Sequence, residues 1–379
     1  MQPSVGEQLV RVLMVSKACV VGTYQTKLEE LARRPDMDLT VVVPPSWRDE
    51  RGELALERVH TAGYNLVETS IALNGHFHLH FYPRLGALVR RFSPHILHVD
   101  EEPYNLAAFQ AIRLARRAGA RTVTFTWQNL VRHYPPPFCW IEAYNLRHTD
   151  HALAGNRDAA AVLRAKGFAG LVTLVPQFGV DPAVFCPRET PRSVGEEGAF
   201  VIGYVGRLVE EKGVEMLLRA APDLPGESHW RLRLIGSGPL EGHLRRLAVT
   251  LGIGDRVCFE GQVVSTEMPA HLRLLDALVL PSRTRPNWKE QFGRVLVEAM
   301  ACGVPVIGSD SGEIPHVIGD AGLIFPEGNV EALRHRLARL MADADLRAAL
   351  AARGRARVLA HYTQARVAEA TYAAYQHTL

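Results

Sequence analysis

Short runs of apolar residues alternate along the chain with longer segments whose apolar residues recur at helical spacing. In the first half the apolar runs are Leu9–Val15, Leu39–Val43, Ile96–Val99, Thr122–Thr126 and Leu171–Val175. Between two of them, Leu106, Phe109 and Ile112 recur near helical spacing and predict a helix over Asn105–Ala118. This alternation predicts parallel strands joined by helices.

The pattern is interrupted over Pro182–Gly198, which is rich in Pro, Arg, Glu and Gly and is typical of an interdomain linker. It then resumes with the apolar runs Phe200–Val205, Trp230–Ile235, Val257–Glu260, Ala277–Leu280 and Val304–Ile307. We therefore predict an α/β fold with two doubly wound parallel sheets, one in residues 1–185 and one in residues 186–360. Ligands of such sheets bind beyond the carboxyl ends of the strands. The tail from Val330 onward predicts three helices, with a break at His361–Thr363.

Composition narrows the class of protein. The 379 residues include 43 Lys and Arg against 40 Asp and Glu, a net charge of +3 that argues against a nucleic-acid partner. Five widely spaced cysteines without a C-x-x-C pair indicate reduced thiols. The apolar stretch Val12–Val15 is too short for a secretory signal, and nothing approaches the roughly 20 apolar residues of a membrane span. We expect a cytoplasmic protein.

Two patterns suggest metal ligands, and neither predicts a metal site. His76, His78 and His80 alternate and would share one face of a strand, but no carboxylate or cysteine lies between them. We expect an exposed strand face there. Asp36 and Asp38 form a D-x-D pattern that precedes its strand, at the wrong end for catalysis.

The stretch from Trp288 to Val306 carries the most specific chemistry. Glu290 and Glu298 are eight residues apart, which corresponds to roughly 12 Å along a helix. Two acids at that distance do not share one metal or one proton, but they suit the two ends of an extended ligand. Taken as a bare pair, they are also typical of a solvated helix face.

Two glycine-containing loops follow strands of the second half. Gly203–Leu208 is followed by Glu211-Lys212-Gly213, and Gly turns, two cations and a helix N-terminus together suit a diphosphate. In the second loop, Gly236 and Gly238 form a G-x-G pattern. The third glycine comes one residue late for a dinucleotide fold, and Pro239 occupies the turn, so an NAD-dependent oxidoreductase is disfavoured.

The string E-Q-F-G-x-x-x-x-E-A-M-A-x-G-x-P-V, which contains Glu290 and Glu298, closely resembles the E-x7-E region of glycosyltransferase family 4. The resemblance implies the GT-B fold, in which two Rossmann-like domains face each other across a cleft and C-terminal helices cross back to the first domain. It implies acceptor binding by residues 1–185, nucleotide-sugar binding by residues 186–360, and packing of residues 361–379 on the first domain. It implies sugar transfer with retention and without a metal or other cofactor.

The resemblance also implies roles for individual residues. Glu290 would contact hydroxyls of the donor sugar, and Arg207 and Lys212 would hold its pyrophosphate; these three are the predicted catalytic residues. Glu298 would bind the ribose. The other predicted donor-binding residues are Gly206, Phe292, Gly293, Gly236, Gly238, Gln262 and Val263.

The first half departs from the family pattern at three places. Where the family has a Gly-Gly turn facing the donor phosphates, this chain offers Gly22, with Lys17 as a substitute cation. The family's His after the fourth apolar run is absent, so its role does not transfer, and Gln128, Asn129 or His133 is left to orient the acceptor. Asp100 replaces the second His of an H-x-H strand end, and we expect it to bind or deprotonate the acceptor. The neighbouring Glu101 and Glu102 are predicted to lie in a solvated loop.

The predicted partners are a nucleotide sugar and a hydroxyl acceptor such as a glycan, a glycolipid or a small molecule. The basic, apolar segment Tyr82–Phe92 is typical either of a packed helix with solvated arginines or of a surface that contacts anionic lipid. The second interpretation predicts a peripheral protein at the inner face of the cell membrane. Alternative functions are an epimerase or phosphorylase of the same fold, and a nucleotide-sugar-binding protein without transferase activity.

Overall fold

A computed structural model describes residues 9–49, 52–189, 199–225 and 230–379. The chain divides into two compact units, of which unit 1 comprises residues 1–179 and 364–379 and unit 2 comprises residues 180–363. The boundary at Gly179 lies earlier than the predicted one at residue 185. The reason is that Val180 and Phe185 are buried in the core of unit 2, and Val180 also pairs with Thr363. Most of the predicted linker, residues 190–198, lies outside the described residues.

The strands of the described residues are β1 (Val10–Val15), β2 (Met37–Val43), β3 (Ser46–Asp49), β4 (Gly52–Ala55), β5 (Asn65–Glu68), β6 (Ile96–Val99), β7 (Arg121–Thr126), β8 (His151–Ala154), β9 (Leu171–Leu174), β10 (Phe200–Val205), β11 (Trp230–Ile235), β12 (Val257–Gly261), β13 (Ala277–Leu280), β14 (Val306–Ser309) and β15 (Leu323–Phe325). The α-helices are α1 (Thr26–Ala32), α2 (Leu85–Phe92), α3 (Leu106–Ala118), α4 (Phe138–Arg147), α5 (Arg157–Ala165), α6 (Val214–Ala220), α7 (Glu241–Thr250), α8 (Met268–Leu272), α9 (Arg294–Ala301), α10 (Ile314–Ile318), α11 (Val330–Ala342), α12 (Ala344–His361) and α13 (Gln364–Thr378).

Unit 1 is built on a seven-stranded parallel sheet in the order β5-β2-β1-β6-β7-β8-β9. Its central strands β1, β6 and β7 are almost entirely buried, because helices cover both faces of the sheet. Asn105 caps α3 by accepting a hydrogen bond from the amide of Ala108 at 2.8 Å, so the predicted helix begins one residue later. The strand order changes direction between β1 and β6, the kind of position at which ligands of open parallel sheets commonly bind.

Unit 2 is built on a six-stranded parallel sheet in the order β12-β11-β10-β13-β14-β15. Its strand order changes direction between β10 and β13, as the order of unit 1 changes between β1 and β6. The predicted α/β fold with two doubly wound parallel sheets is confirmed.

The C-terminal tail forms three helices, as the sequence predicts, with a break at Tyr362 and Thr363. The last helix, α13, belongs to unit 1. There the hydroxyl of Tyr375 lies 2.6 Å from Nδ1 of His98, which is buried in β6. Burial lowers the pKa of His98 to about 3, so the ring is neutral at physiological pH. No helix within the described residues is both long and apolar enough to cross a bilayer.

Two predictions about the first half are wrong. Residues 74–80 form turns instead of a strand, and His80 is completely buried. Glu101 is buried as well, instead of lying in a solvated loop. Both residues are enclosed because segments distant in sequence, including the β3–β4 hairpin, pack over the carboxyl end of the sheet.

Candidate functional site

The loops that follow the strands of unit 2 meet at the carboxyl edge of its sheet. The first two loops approach each other through glycines. Gly206 follows β10 and donates its amide to the carbonyl of Ile235 at 2.9 Å, and Gly236 adopts a positive φ of 133°. A Cβ on Gly236 would lie 2.0 Å from the carbonyl oxygen of Gly206, and one on Gly238 would lie 2.4 Å from that of Leu208. Only glycine permits these two backbones to come so close.

An ion pair lies at the point where the strand order changes. Nζ of Lys212 is 2.6 Å from Oε2 of Glu290, and the hydroxyl of Ser282 donates to the same oxygen at 2.7 Å. The side chain of Glu290 is only 8% exposed and that of Lys212 is 21% exposed. The predicted catalytic residues Lys212 and Glu290 therefore touch, although 78 positions separate them in the chain.

Backbone contacts hold both partners of this pair. Gly213 follows Lys212 with a φ of 65°, and a Cβ there would lie 2.0 Å from the carbonyl oxygen of Pro281. Gly312 has a φ of 55°, and a Cβ there would lie 2.0 Å from the carbonyl oxygen of Glu290. The loop from Pro281 to Glu290 is thus fixed at both ends by glycines of neighbouring loops.

Trp288 and Ser282 are site residues that the sequence analysis did not assign. Nζ of Lys212 lies 5.0 Å from the centre of the Trp288 ring, within the range of a cation–π interaction. The indole therefore covers one side of the Lys212–Glu290 pair. Ser282 could have been found from the sequence, because it follows a buried strand and a proline directly. Trp288 lies in an irregular loop, and no sequence pattern distinguishes it.

Helix α9 places the second glutamate. Gly293, which has no side chain, occupies the position before its first residue, with a φ of 76°. Glu290 precedes this helix and is not part of it, so the helical rise predicted between the two glutamates does not apply. The N-terminal turn of α9 contributes partial positive charge beside Phe292 and Gly293.

Glu298 is buried inside α9. Burial raises its pKa, and the guanidinium of Arg294, whose Nε lies 2.7 Å from Oε1 of Glu298, offsets part of that effect. The carboxyl group is therefore enclosed and paired with the Arg294 guanidinium.

The remaining predicted donor residues lie around the same edge. Arg207 is exposed, and its carbonyl accepts a hydrogen bond from the hydroxyl of Tyr204 at 2.7 Å. Gln262 follows β12 and donates to the hydroxyl of Ser237 at 2.8 Å, and Val263 beside it is half-buried. The structure thus brings the predicted donor residues of unit 2 to one edge of one sheet.

In unit 1 the predicted residues have varied surroundings. Asp100 follows β6 and is buried, where it accepts hydrogen bonds from the Ser16 hydroxyl at 2.6 Å and from Nε2 of Gln177 at 2.8 Å. Gly22 donates its amide to the carboxylate of Glu57 at 2.5 Å. The amide predicted to face the donor phosphates is engaged within unit 1 in this structure.

The candidates after β7 separate into a buried pair and an exposed residue. Gln128 and Asn129 are buried, whereas His133 is exposed in the following loop. In the amide orientation that satisfies its neighbours, Gln128 donates to Glu142 at 3.2 Å and accepts from Nζ of Lys166 at 2.9 Å. These contacts give Gln128 a structural role in the loop.

Lys17 is enclosed. It forms an ion pair with Glu101, and its Nζ lies 5.2 Å from the centre of the Trp47 ring and 4.7 Å from that of Phe77. His80 adds a second contact, with Nε2 at 3.4 Å from Glu101 Oε2. Burial opposes ionisation of Glu101, but Lys17 and His80 hold its pKa at about 2. Lys17, which the sequence offers as a substitute cation for the donor phosphates, thus forms an internal ion pair in this structure.

Glu102 is held separately. It accepts hydrogen bonds from the Thr126 hydroxyl at 2.6 Å and the amide of Trp127 at 2.9 Å, and burial raises its pKa. Within the described residues, no group of three or more His, Cys, Asp or Glu side chains is arranged to hold a metal ion.

The fold is that of the GT-B class of glycosyltransferases. HepE of Anabaena in complex with UDP is similar over 98% of this chain and 100% of that protein, with a TM-score of 0.74 and 17% identity. Sucrose-phosphate synthase from Thermosynechococcus elongatus is similar over 97% of this chain and 98% of its own, with a TM-score of 0.71 and 19% identity.

Sequence comparison then gives the family. Residues 188–357 match the family described as glycosyl transferases group 1, and residues 21–177 match the glycosyl transferase 4-like domain. The lipopolysaccharide core biosynthesis mannosyltransferase LpcC of Rhizobium leguminosarum bv. viciae is 30% identical over 281 residues, which cover 70% of this chain and 78% of the relative. The chain belongs to glycosyltransferase family 4.

A second relative is matched over a shorter length. The GDP-mannose-dependent alpha-(1-6)-phosphatidylinositol monomannoside mannosyltransferase of Mycolicibacterium smegmatis is 34% identical over 187 residues, or 47% of this chain. The match spans about half of that relative, 49% of its length.

Proposed function

We propose that the chain transfers a hexosyl group from a nucleoside-diphosphate sugar to a hydroxyl acceptor, with retention at the anomeric carbon and without a metal. The observation that carries this proposal is the Lys212–Glu290 ion pair beside the N-terminus of α9, at the carboxyl edge of the unit 2 sheet. The relatives support the same reaction class, since both are mannosyltransferases and one is described as GDP-mannose-dependent.

Each donor residue has a role in this proposal. Arg207 and Lys212 bind the diphosphate, and the N-terminal turn of α9 adds its partial positive charge. Glu290 accepts hydrogen bonds from sugar hydroxyls in place of Lys212, which turns to the phosphate. Glu298 accepts hydrogen bonds from the ribose.

The backbone of the glycine loops completes the donor site. The absence of a side chain at Gly206, Gly236 and Gly238 lets the loops approach the nucleotide closely. Residues 262 and 263 then contact the base through their backbone. Phe292 and Gly293 direct main-chain amides at the sugar and the phosphates.

The reaction we propose takes place on one face of the sugar. The oxygen of the acceptor hydroxyl forms a bond to the anomeric carbon while the bond from that carbon to the diphosphate oxygen breaks. The electron pair of the broken bond stays on the diphosphate, which also takes the acceptor's proton. Cationic groups at the diphosphate stabilise this charge as it develops, and electrostatic stabilisation of that kind is commonly the largest contribution to a rate enhancement.

The acceptor belongs to unit 1 in this proposal. Asp100, at the end of β6 where the strand order changes, would accept a hydrogen bond from the acceptor hydroxyl in place of one from Ser16 or Gln177. Gln128 and Asn129 support the loop after β7 from inside, and exposed His133 contributes at its surface. The named relatives act in the synthesis of phosphatidylinositol mannoside and lipopolysaccharide core, which favours a lipid-linked acceptor.

A membrane contact on unit 1 is the finer part of the proposal. Helices α2 and α3 border a cavity of about 500 Å³ with an apolar floor that includes Phe81, Leu106 and Phe109. Two exposed cations, Arg113 and Arg117, line it, and Arg84, Arg90 and Arg91 are exposed on α2 or directly before it. An apolar surface with a basic border is attracted to anionic lipid.

The donor site is tested by thermal shift of the full chain with UDP, GDP, ADP, CMP and NAD. We expect one nucleoside diphosphate to raise the melting temperature of the wild type and not that of Lys212→Ala. Arg219→Ala is the matched control, because it removes an exposed cation that pairs with Glu215 on α6. A flat response to every nucleotide would contradict the donor site.

Transfer and membrane contact need their own measurements. Nucleotide binding without product from the matching sugar nucleotide and a membrane lipid extract would favour the binding protein without transferase activity. Product formed from the sugar nucleotide alone would favour the epimerase. Sedimentation with vesicles of anionic lipid tests the α2–α3 surface, and we expect Arg90→Ala/Arg91→Ala to reduce binding to them; no sedimentation of the wild type would remove the membrane contact.

A further inference from the structure

A cavity in unit 1 has aromatic walls that the proposed function does not use. It measures about 490 Å³ and is formed by residues 75–79 together with Tyr134, Pro135 and Phe138. Its size falls within the range of small-molecule sites. It lies beyond the carboxyl ends of β6 and β7, because Tyr104 and Tyr134, which stack on each other, belong to the loops after those strands.

The aromatic groups of the cavity are held in place before any ligand binds. The His78 ring lies 5.1 Å from the Phe138 ring and 6.0 Å from that of Tyr134, and its carbonyl accepts a hydrogen bond from the amide of Leu106 at 2.9 Å. Tyr134 stacks on Tyr104 with the ring centres 4.4 Å apart. The ring of Phe77, which also lines the cavity, forms a cation–π contact with the ammonium group of Lys17.

The chemistry of the lining indicates the kind of ligand. The residues that line the cavity, all of them described, include no Asp, Glu, Lys or Arg. Burial and the neighbouring His80 lower the pKa of His78, so its ring is neutral and both donates and accepts hydrogen bonds at physiological pH. The Tyr134 hydroxyl supplies a further polar group. Aromatic faces with neutral hydrogen-bonding groups suit a ring that is apolar on its faces and carries hydroxyls at its edge.

We infer that this cavity binds a neutral polyhydroxylated ring, a pyranose or a cyclitol, as part of the acceptor. The inference rests on the proposed function, because an acceptor is expected only of a transferase. It extends that function by naming the substrate class and three residues that recognise it: His78, Tyr134 and Phe138. We expect a neutral ring to be preferred over a phosphorylated one, because no Lys or Arg is among the lining residues and the ammonium groups beside Phe77 and Tyr134, those of Lys17 and Lys166, are paired with glutamates.

Saturation-transfer NMR on the full chain tests the inference with methyl α-D-mannopyranoside and myo-inositol as probes. We expect at least one of them to bind, with affinity about tenfold lower in Phe138→Ala and in Tyr134→Ala. Trp140→Ala is the matched control, since this residue is 67% exposed on the same helix as Phe138 and does not line the cavity. Its affinity should equal that of the wild type.

Other results would overturn the inference. The first is equal binding in all variants, and the second is binding of neither probe. The third is tighter binding of mannose 6-phosphate than of the neutral mannoside. The fourth is displacement of the bound probe by dodecyl maltoside but not by maltose, because that result would indicate a site for an apolar chain. Circular dichroism establishes that the variants are folded, and His78→Gln, which retains hydrogen-bonding groups, provides a second variant. Binding of nucleotides to the wild type is measured in parallel. If the wild type binds no nucleotide, the proposed function is contradicted. If it binds a nucleotide and the variants bind the sugar or cyclitol as tightly as the wild type does, only the assignment of the cavity is contradicted.

Discussion

Each of the two sheets has a lysine in the loop after the strand where the order changes direction, and each lysine forms an ion pair with a glutamate from a distant loop. Lys17 of unit 1 is 13% exposed and its partner Glu101 is fully enclosed, whereas Lys212 of unit 2 is 21% exposed and its partner Glu290 is 8% exposed. The local chemistry is the same. The surroundings differ, because the rings of Trp47 and Phe77 together with His80 enclose the first pair, whereas the Trp288 indole and glycine-containing loops lie beside the second.

This difference decides which pair is available to a ligand. Lys17 stabilises the fold, because its charge is balanced by Glu101 next to the rings of Trp47 and Phe77. If a phosphate replaced Glu101 as the partner of Lys17, the buried carboxylate of Glu101 would be left without that partner. Lys212 lies beside backbone that comes close only because of glycine, and we propose that the donor diphosphate approaches it there. Substitutions in and beside each pair separate these two roles.

The largest effect is expected for Glu290→Gln. The amide retains a hydrogen bond with Ser282 but loses the carboxylate that we expect to bind sugar hydroxyls, so kcat should fall by about 10²- to 10³-fold. Product formation from the sugar nucleotide measures this effect. Glu331→Gln, a substitution at an exposed position on α11, should leave kcat unchanged. Near-normal turnover in Glu290→Gln would remove Glu290 from the site.

Glu101→Gln should unfold unit 1 more easily while leaving nucleotide affinity intact. Removing one partner of a buried ion pair leaves the other charge uncompensated, which should lower the free energy of unfolding by about 3 kcal/mol. Because the pKa of Glu101 is about 2, below its ordinary value, the stabilisation is present at neutral pH and is lost as the pH falls from about 4.5 to about 2. Urea unfolding at several pH values tests this, with exposed Glu53→Gln as control. A variant whose stability falls as steeply with acidification as that of the wild type would contradict the assignment.

Lys212→Ala should weaken binding of the nucleoside diphosphate by about ten- to a hundredfold, the effect of losing one charge-assisted hydrogen bond. Lys17→Ala should reduce stability and leave that affinity unchanged. Isothermal titration calorimetry on both variants tests the comparison directly. If Lys17→Ala weakened nucleotide binding to the same degree, the two pairs would have similar roles.

The smallest effect is expected for Trp288→Leu. The cation–π contact with Trp288 stabilises the position of the Lys212 ammonium by about 1 kcal/mol. Without this contact, nucleotide affinity should fall by about fivefold. Trp288→Phe retains an aromatic face and should recover most of it. Identical affinities for Leu and Phe would show that the ring has no influence on Lys212.

The sequence predicts the unit 2 site better than the unit 1 site for a physical reason. Glu290, Glu298 and the glycines belong to short strings in which local spacing already specifies loop, helix start and strand. Lys17, His80 and Glu101 come together only through packing of three separate segments, so no local pattern reveals that they are buried. The strand β8 was also not predicted. It has only four residues, begins with His151 and includes two alanines, so it is less apolar than the neighbouring strands.

The glycines that contact Pro281 and Glu290 make the position of the Glu290 carboxylate depend on residues outside the loop that carries it. A Cβ at Gly213 or at Gly312 would lie 2.0 Å from a backbone carbonyl oxygen of that loop, so the loop would have to shift to accept any side chain there. Alanine at either glycine should therefore disturb the Lys212–Glu290 pair although neither of its members is changed.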